Sequence, residues 1–278
     1  MTKARDNAVA AHYSAGGLGD RILAGLRQAG LDPASIRPAD LAPVDEFHMG
    51  GRAATQFVTG LMHLSPGMHV LDIGSGLGGL SRYLADECGC RATGIDLTPE
   101  FVEVANMLTE LTGLTGRVDF HTGSALDMPW EAATFDAAMT FHVAMNIADR
   151  PRLYAESARV LRPGAPFAIY DVLKGPTEGM EFPTPWAATA ETSHLVNLTD
   201  MRQLLDDAGF DIVHEEDRKE VGLAFHRDRL AAARAAAGPP PLGIHLILGK
   251  IAGSTAINML HMLEANQITL HAIIARRR

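Results

Sequence analysis

The stretch VLDIGSGLGG, Val70 to Gly79, constrains the fold of this chain more than any other segment. An apolar run that suits a strand ends at closely spaced glycines, and GGLSRYLADECG then carries apolar residues at helical spacing. Glycines directly after a strand permit unusual backbone angles and let the main chain approach a ligand closely. The sequence therefore predicts a strand, a tight turn that faces a ligand, and a helix.

Short apolar runs rich in β-branched residues alternate with helical patterns from Val70 onward, which is typical of a parallel α/β sheet. Five such runs precede residue 175, FDIVHEED predicts a sixth strand, and QITLHAIIARRR predicts a seventh. We expect an α/β fold with a Rossmann-like, doubly wound, seven-stranded sheet. Residues 1–50 are expected to form a helical N-terminal lid, and residues 51–278 a larger domain with helical cap insertions at about 175–198 and 220–266.

Composition excludes several classes of protein. The 278 residues are 47% hydrophobic and 21% charged, and the net charge of −9 disfavours a nucleic-acid partner because phosphate binding needs a basic face. We find no apolar run of about 18 residues and no signal-peptide pattern at the start, so we expect a cytoplasmic protein with no membrane partner. The two cysteines, Cys88 and Cys90, lack the spacing of a zinc site, and no metal is expected.

The glycine turn fits two ligand templates. Gly74, Gly76 and Gly79 spell G-x-G-x-x-G, the dinucleotide pattern, so a nicotinamide-dependent oxidoreductase is one alternative. Asp72, however, would repel a pyrophosphate and suits a ligand with an ammonium or sulfonium charge, and S-adenosylmethionine carries both. Asp96, which ends the second predicted strand, can bind the ribose hydroxyls of either ligand.

Five stretches together resemble the class I S-adenosylmethionine-dependent methyltransferases: VLDIGSGLGG, GIDLTPEFVEVAN, VDFHTGSALDMPW, FDAAMTFHVAMNI and VLRPGAPFAIYDV. The resemblance runs roughly from Tyr13 to the C-terminus and implies a sheet whose last strand is antiparallel. HYSAGG, DLAPVDEFHMGGR, FHVAMNIADRPRLY and FPTPWA look most like the sarcosine and dimethylglycine N-methyltransferases. Sugar O-methyltransferases and tocopherol-type C-methyltransferases are also similar.

The resemblance implies S-adenosylmethionine as cofactor. It places Gly74 and Gly76 beside the methionine part, Asp72 at the ammonium, Asp96 at the ribose and Leu97 at the adenine. Many relatives have an acid on the adenine amino group where this chain has Ser124, whose hydroxyl accepts the bond without charge. The full set of expected cofactor residues is Tyr13, Asp72, Gly74, Gly76, Asp96, Leu97, Ser124, Ala125 and Leu126.

Methyl transfer to a protonated nucleophile needs a base, and His142 at the end of the fourth predicted strand is our candidate, paired with Asp171 at the end of the fifth. The alternative for His142 is a histidine that only bonds a backbone carbonyl. Met145, Asn146 and Trp186 are the expected substrate residues. For Asn146 a capping role is the alternative, and for Trp186 simple packing.

We therefore expect a methyltransferase that acts on a nitrogen or oxygen of a small molecule, as a monomer or homodimer. Three alternatives stay open: an NAD(P)-dependent oxidoreductase, a C-methyltransferase of the tocopherol or terpenoid type, and a cofactor-binding protein without catalysis. The acceptor itself is undetermined. A dimethylglycine pocket needs a cation for the carboxylate, yet the cap segments IHLILG and INMLHML are apolar and suit a bulkier molecule.

Overall fold

The structure, a computed structural model, describes residues 16–236 and 238–278. Its helices are α1 (Leu18–Gln28), α2 (Pro38–Asp45), α3 (Gly51–Met62), α4 (Gly79–Asp86), α5 (Pro99–Leu111), α6 (Arg150–Val160), α7 (Leu198–Asp207), α8 (Lys219–Ala235), α9 (His245–Leu248) and α10 (Ala252–Glu264). Its strands are β1 (His69–Ile73), β2 (Arg91–Asp96), β3 (Val118–Thr122), β4 (Ala137–Phe141), β5 (Pro166–Lys174), β6 (Phe210–Asp217) and β7 (Ile268–Arg277). Four 3-10 turns join them, at Pro33–Ser35, Ala144–Asn146, Ala190–Thr192 and Gly249–Ile251.

The seven strands form one sheet in the order β3-β2-β1-β4-β5-β7-β6. The first five strands are parallel, and β7 lies antiparallel between β5 and β6. This confirms the Rossmann-like fold with a reversed last strand. The strand order changes direction between β1 and β4, and in open α/β sheets such a switch point opens a crevice at the carboxyl ends of the strands.

Side chains of successive strand residues point to opposite faces of the sheet, and each face has its own core. Along β5, Tyr170 belongs to the core under α3, α4, α8 and α10, whereas Ile169 and Leu173 belong to the core under α6 and α7. Asp171 follows Tyr170 in the strand and therefore lies on the α6 face. This alternation decides which strand residues reach the site.

The lid and the second cap insertion share a third core. Leu18, Ile22 and Leu26 of α1 pack with Phe101 of α5 and Ile247 of the cap. The first insertion, residues 175–198, is mostly irregular and holds one 3-10 turn, whereas the second contains α8, α9 and α10. The lid and the cap thus meet above the carboxyl ends of the strands.

Local sequence signals explain several boundaries. Thr98 occupies the N-cap position of α5, with Pro99 at the first helical position, and Gly113 after the helix has a positive φ of 69°. Asp149 caps α6 by accepting a bond from the backbone N–H of Arg152 at 3.1 Å.

One segment, His245–Glu264, is long and apolar enough to cross a membrane by length and composition alone. In the fold it bends at Gly249, where φ is 55°, and comprises α9, a 3-10 turn and α10. Met259, Met262 and Leu263 of α10 are buried in the core that covers one face of the sheet. A helix that packs on a sheet in this way passes the same test, so the observation is weak evidence for a membrane span.

Candidate active site

A cavity of about 400 Å³ opens at the carboxyl ends of β1, β2 and β4. Its floor is the glycine turn after β1, and its walls come from the loops after β2, β3 and β4. The end of α2 and the following EFHM segment close one side, and residues from the two cap insertions close the other. The cavity lies at the switch point of the sheet, where the fold places ligands.

The glycine turn has one position that faces open space. At three others an added Cβ atom would collide with protein atoms: Val143 at Gly74, Phe120 at Gly78, and Asp45 at Gly79. At Gly76 a Cβ atom would meet no atom within 4 Å, and Gly76 lines the cavity. Gly74 also lines the cavity, but Val143 is what requires a glycine there. Of the predicted pair, Gly76 is therefore the residue whose missing side chain leaves space for a ligand.

Asp96 holds this turn in place. Its Oδ2 accepts a hydrogen bond from the Gly76 N–H at 2.8 Å, and its Oδ1 accepts one from the Thr98 N–H at 2.8 Å. Each carboxylate oxygen keeps further acceptor capacity toward the cavity, which Asp96 lines. Burial raises the pKa of Asp96, and the backbone N–H bonds oppose that rise.

Three more carboxylates gather beside Asp96. Asp72 accepts a bond from the Ser81 hydroxyl at 2.7 Å, and burial raises its pKa to about 7, with Asp96 and Glu46 adding to the rise. Asp45 and Glu46, at the end of α2, also line the cavity, and one oxygen of each has no hydrogen-bond partner among the described residues. This acid end of the cavity (Asp45, Glu46, Asp72 and Asp96) suits a cationic ligand.

The predicted adenine residues lie together. Leu97, Ser124, Ala125 and Leu126 line the cavity, and the Ser124 hydroxyl accepts a bond from the Leu126 N–H at 3.3 Å. Asp127 is the acid nearest to Ser124 in the sequence, but it is exposed and does not line the cavity. Tyr13 lies outside the described residues.

His142 lines the cavity but bonds only to the backbone. Its Nδ1–H donates to the Tyr170 carbonyl at 3.1 Å, and its Nε2 accepts from the Met49 N–H at 3.3 Å. Burial, together with the nearby His48, lowers the pKa of His142 to about 3. The imidazole is therefore neutral, and the Tyr170 carbonyl sets its tautomer. This arrangement agrees with the alternative in which His142 only bonds the backbone.

The predicted pair of His142 with Asp171 is wrong. Asp171 is 1% exposed, does not line the cavity, and lies 3.9 Å from the guanidinium of Arg150. The physical reason is strand alternation, because the carbonyl of Tyr170 reaches His142 while the next side chain points to the opposite face. Burial raises the pKa of Asp171 to about 7, and Arg150 opposes the rise.

All three predicted substrate residues line the cavity. The Trp186 indole N–H donates to the Ser193 hydroxyl at 3.0 Å, which fixes the ring in the wall. Met145 is buried. Asn146 does not cap α6, since Asp149 does; its amide nitrogen bonds Val143 and its buried Oδ1 has no partner among the described residues.

Sequence reasoning missed a group of cavity residues on the lid and cap. His48 is buried, and desolvation lowers its pKa to about 4. His226 and Arg229 line the cavity from α8, in a stretch that reads as an alanine-rich surface helix. Their spacing of three residues, which puts both on one helix face, was the available signal.

The chain is similar in sequence to known methyltransferases. A family model described as a methyltransferase domain matches residues 71–169. Phosphoethanolamine N-methyltransferase 3 of Arabidopsis thaliana is 30% identical over 186 residues, which are 66% of this chain and 37% of that protein. An O-methyltransferase of Penicillium expansum is 32% identical over 162 residues, 57% of this chain and 58% of that protein.

Solved structures share the fold. A candidate sarcosine dimethylglycine methyltransferase from Galdieria sulphuraria aligns with a TM-score of 0.65 and 18% identity over 81% of this chain and 85% of its own. Residues 71–169 are thus similar to a methyltransferase domain, and the fold is one that solved small-molecule methyltransferases share. A second structure, the [4+2]-cyclase SpnF, aligns with a TM-score of 0.67 and 24% identity over 94% of this chain and 92% of its own. The chain spans 37% and 58% of the length of the two curated relatives.

The acid end of the cavity fits the cofactor of this family. The unpartnered oxygens of Asp45 and Glu46 and the open space at Gly76 are features that a cationic, ribose-bearing ligand would satisfy. The same carboxylates oppose a pyrophosphate, so the oxidoreductase alternative does not fit this turn. Among the described residues no group of three His, Cys, Asp or Glu side chains is placed to hold a metal ion.

Proposed function

We propose that this protein transfers a methyl group from S-adenosylmethionine to a nitrogen or oxygen of a small, largely apolar molecule. The observation that carries the proposal is the acid end of the cavity. Its four carboxylates line the same cavity as Gly76, the glycine of the turn that faces open space. Two of them, Asp45 and Glu46, retain an oxygen without a hydrogen bond.

The residues at this end have distinct roles in holding the cofactor. Asp72 and Glu46 face the ammonium and favour the charged form of the ligand. Asp96 accepts from the ribose hydroxyls while it keeps the Gly76 turn closed. Leu97 and Leu126 provide an apolar slot for the adenine, with Ser124 as an uncharged hydrogen-bonding group. When bound, S-adenosylmethionine supplies an electrophilic methyl group on a positively charged sulfur.

The protein's contribution on the acceptor side is alignment and exclusion of water. Trp186, Phe225, Ile247 and Met259, from the two cap insertions, contribute apolar walls to the cavity. The free Oδ1 of Asn146 accepts a hydrogen bond from an acceptor N–H or O–H in this wall. The role of His142 as proton acceptor stays a prediction; its Nε2 lone pair is already directed at the Met49 N–H.

The test is a transfer assay with a labelled cofactor. S-adenosylmethionine with an isotope in its methyl group is incubated with the protein and with pools of small amines, phenols, sugars and terpenoids. We expect label in an organic product and release of S-adenosylhomocysteine in equal amount, with loss of both in the Gly76→Val variant. Label bound to carbon in the product would assign the tocopherol or terpenoid C-methyltransferase alternative instead.

A second candidate is a cyclase that uses this cavity without methyl transfer. It is favoured by the alignment with the [4+2]-cyclase SpnF, which extends over 94% of this chain and so includes lid and cap regions. It also agrees with a His142 whose two nitrogens are bonded to backbone groups. Conversion of an apolar polyene to a product of equal mass, with no label transferred, would identify this activity.

The proposal also covers the protein's location, oligomeric state and partners. We propose a cytoplasmic enzyme, monomeric or homodimeric, whose partner is its small-molecule acceptor. The net charge of −9 supports the view that it does not bind nucleic acid. Cell fractionation and a binding assay with duplex DNA test these two points.

A further inference from the structure

The cavity has a second polar group, His226 and Arg229 of α8, which lie beside Phe225 of the same helix. Arg229 is half-buried, and its guanidinium lies 5.3 Å from the centre of the Phe225 ring. His226 is 6% exposed. All three residues line the cavity from the cap.

Arg229 has no counter-ion within 4.0 Å among residues 16–236 and 238–278. Two other acids at the cavity, Asp149 and Glu191, form no ion pair with it. Its pKa is lowered, and the cause is burial with no carboxylate in opposition. A half-buried guanidinium without a counter-ion favours a ligand with negative charge as its partner.

His226 adds an independent observation. Neither of its ring nitrogens has a hydrogen-bond partner among the described residues, although the side chain is more than nine-tenths buried. Burial holds its pKa far below the ordinary value, and Arg229 is among the causes, so it is a neutral imidazole with one N–H to donate. Buried polar groups are rarely left without partners, and both of these face one cavity.

The surroundings define what carries the negative charge. Ile244 and Ile247 from the segment after α8, together with Met259 of α10, form an apolar surface beside the two polar side chains. Arg229 contributes one positive charge and His226 none, which balances a monoanion and leaves a phosphate dianion under-compensated. The fork of a guanidinium also matches the two oxygens of a carboxylate.

We propose that Arg229 and His226 form the acceptor's anchoring site, and that the methyl acceptor is a carboxylic acid with an apolar body. The proposal rests on the proposed function and specifies its substrate class. A carboxylate acceptor needs a cation, whereas the apolar cap segments suit a bulky apolar molecule. An apolar carboxylic acid meets both requirements, because Arg229 supplies the cation and the cap segments contact the apolar body. Both residues line the same cavity as the acid end, so an acceptor anchored by them shares the cavity with the cofactor.

The test uses matched ligand pairs, octanoate against 1-octanol and 4-phenylbutyrate against 4-phenyl-1-butanol, titrated by calorimetry with and without S-adenosylhomocysteine. We expect the wild-type protein to bind at least one acid about ten-fold more tightly than its alcohol, since a buried charge-assisted bond is gained. In Arg229→Gln the preference should fall below about two-fold with alcohol affinity unchanged. Arg234→Gln, an exposed arginine at the end of the same helix, is the control and should keep the preference.

Three results would overturn the proposal. The first is a wild-type protein that prefers no acid over its alcohol, and the second is an Arg229→Gln variant that retains the preference. The third is an Arg229→Gln variant that loses S-adenosylhomocysteine affinity instead, which would assign Arg229 to the cofactor's carboxylate. Failure of the wild-type protein to bind S-adenosylhomocysteine would contradict the proposed function alone, because the acid pairs are also measured without it.

Folding of the variant is checked separately. Removal of an unpaired, desolvated charge should leave the thermal midpoint of Arg229→Gln equal to or above that of the wild type. A midpoint well below the wild type would show that Arg229 has a structural partner, and this too would contradict the proposal.

Discussion

Asp72 is a buried acid beside a cavity, and its ionisation should be linked to ligand binding. Its pKa of about 7 means that it is largely protonated below neutral pH and ionised above it. A ligand with a fixed ammonium charge binds the ionised form better, so its affinity must rise as the pH rises through 7.

We predict that the affinity for S-adenosylhomocysteine falls by up to about ten-fold per pH unit as the pH is lowered from 8 to 6. Calorimetry at several pH values measures this slope. Asp72→Asn should weaken binding at pH 8 and give a shallower slope, because one of the four carboxylates of the acid end no longer titrates. An equally steep slope in Asp72→Asn would exclude Asp72 as the linked group.

The structural role of His142, its hydrogen bonds to the backbone, can be measured separately from any role in catalysis. Its imidazole satisfies the Met49 N–H and bonds the Tyr170 carbonyl, while its backbone holds a positive φ of 55°. We predict that His142→Ala lowers the free energy of unfolding by about 1–3 kcal/mol, because the N–H loses its partner. His63, which is exposed and has a φ of 53°, is the matched control, and urea denaturation of His63→Ala should show a smaller loss. Equal losses in both variants would show that the imidazole bonds contribute nothing.

The positions of candidate site residues could be predicted most directly where the motif fixes the backbone. Asp72, Gly76 and Asp96 are placed by one strand–turn–helix unit and by the end of the neighbouring strand, so their positions follow from local spacing. His226 and Arg229 could not be placed, because their position depends on how the cap packs on the sheet. That packing is a property of tertiary structure.

At the scale of elements, a substitution in the turn between β1 and α4 tests most directly whether the cofactor binds in the cavity. Valine at Gly76 would project into open space that lines the cavity. We predict that Gly76→Val abolishes S-adenosylhomocysteine binding in calorimetry while the circular dichroism spectrum stays that of a folded protein. Gly116→Val is the control, since that glycine also has a positive φ and open space but lies away from the cavity. Loss of binding in both variants would point to backbone strain rather than to occupied ligand space.

A buried ion pair links the lid to the α/β domain. Arg82 of α4 is 0% exposed and bonds Asp45 of α2 at 2.7 Å, and it also donates to the Leu77 carbonyl at 2.6 Å. We predict that Asp45→Leu destabilises the fold by about 3–5 kcal/mol, because it leaves a buried guanidinium unpaired. The pair Asp45→Leu with Arg82→Met should recover much of that loss in urea denaturation. Additive losses in the double variant would show that the two residues do not act as a pair.

Element boundaries were accessible from sequence to different degrees. Thr98, Pro99 and Gly113 mark α5 because caps and glycine stops are local signals. The first cap insertion, residues 175–198, lacks such signals and is mostly irregular, so the expectation of a helical insertion describes only its 3-10 turn. The second insertion does carry helical periodicity, and α8 and α10 occupy it.

At the scale of the whole molecule, the sheet could be predicted because alternation of strand and helix patterns leaves few topologies. The pairing of His142 with Asp171 is wrong at the same scale, because neighbouring strand ends bring together only those side chains that point to the same face of the sheet. The cavity's charged groups, carboxylates at the ends of β1 and β2 and a guanidinium on α8, come together only when distant segments meet.

The carboxylates of the acid end should make the whole fold select a cationic ligand over an anionic one. A ligand that binds only the folded state raises the free energy of unfolding by about 2.7 kcal/mol at a hundred times its dissociation constant. We predict a stabilisation of this size by S-adenosylhomocysteine in urea denaturation, because we propose that its ammonium binds among Asp45, Glu46 and Asp72. NAD at the same concentration should give no stabilisation, since its pyrophosphate would face those carboxylates and a chain of net charge −9. Stabilisation by NAD but not by S-adenosylhomocysteine would mean that the glycine turn serves a dinucleotide and that the acid end of the cavity has been assigned the wrong ligand.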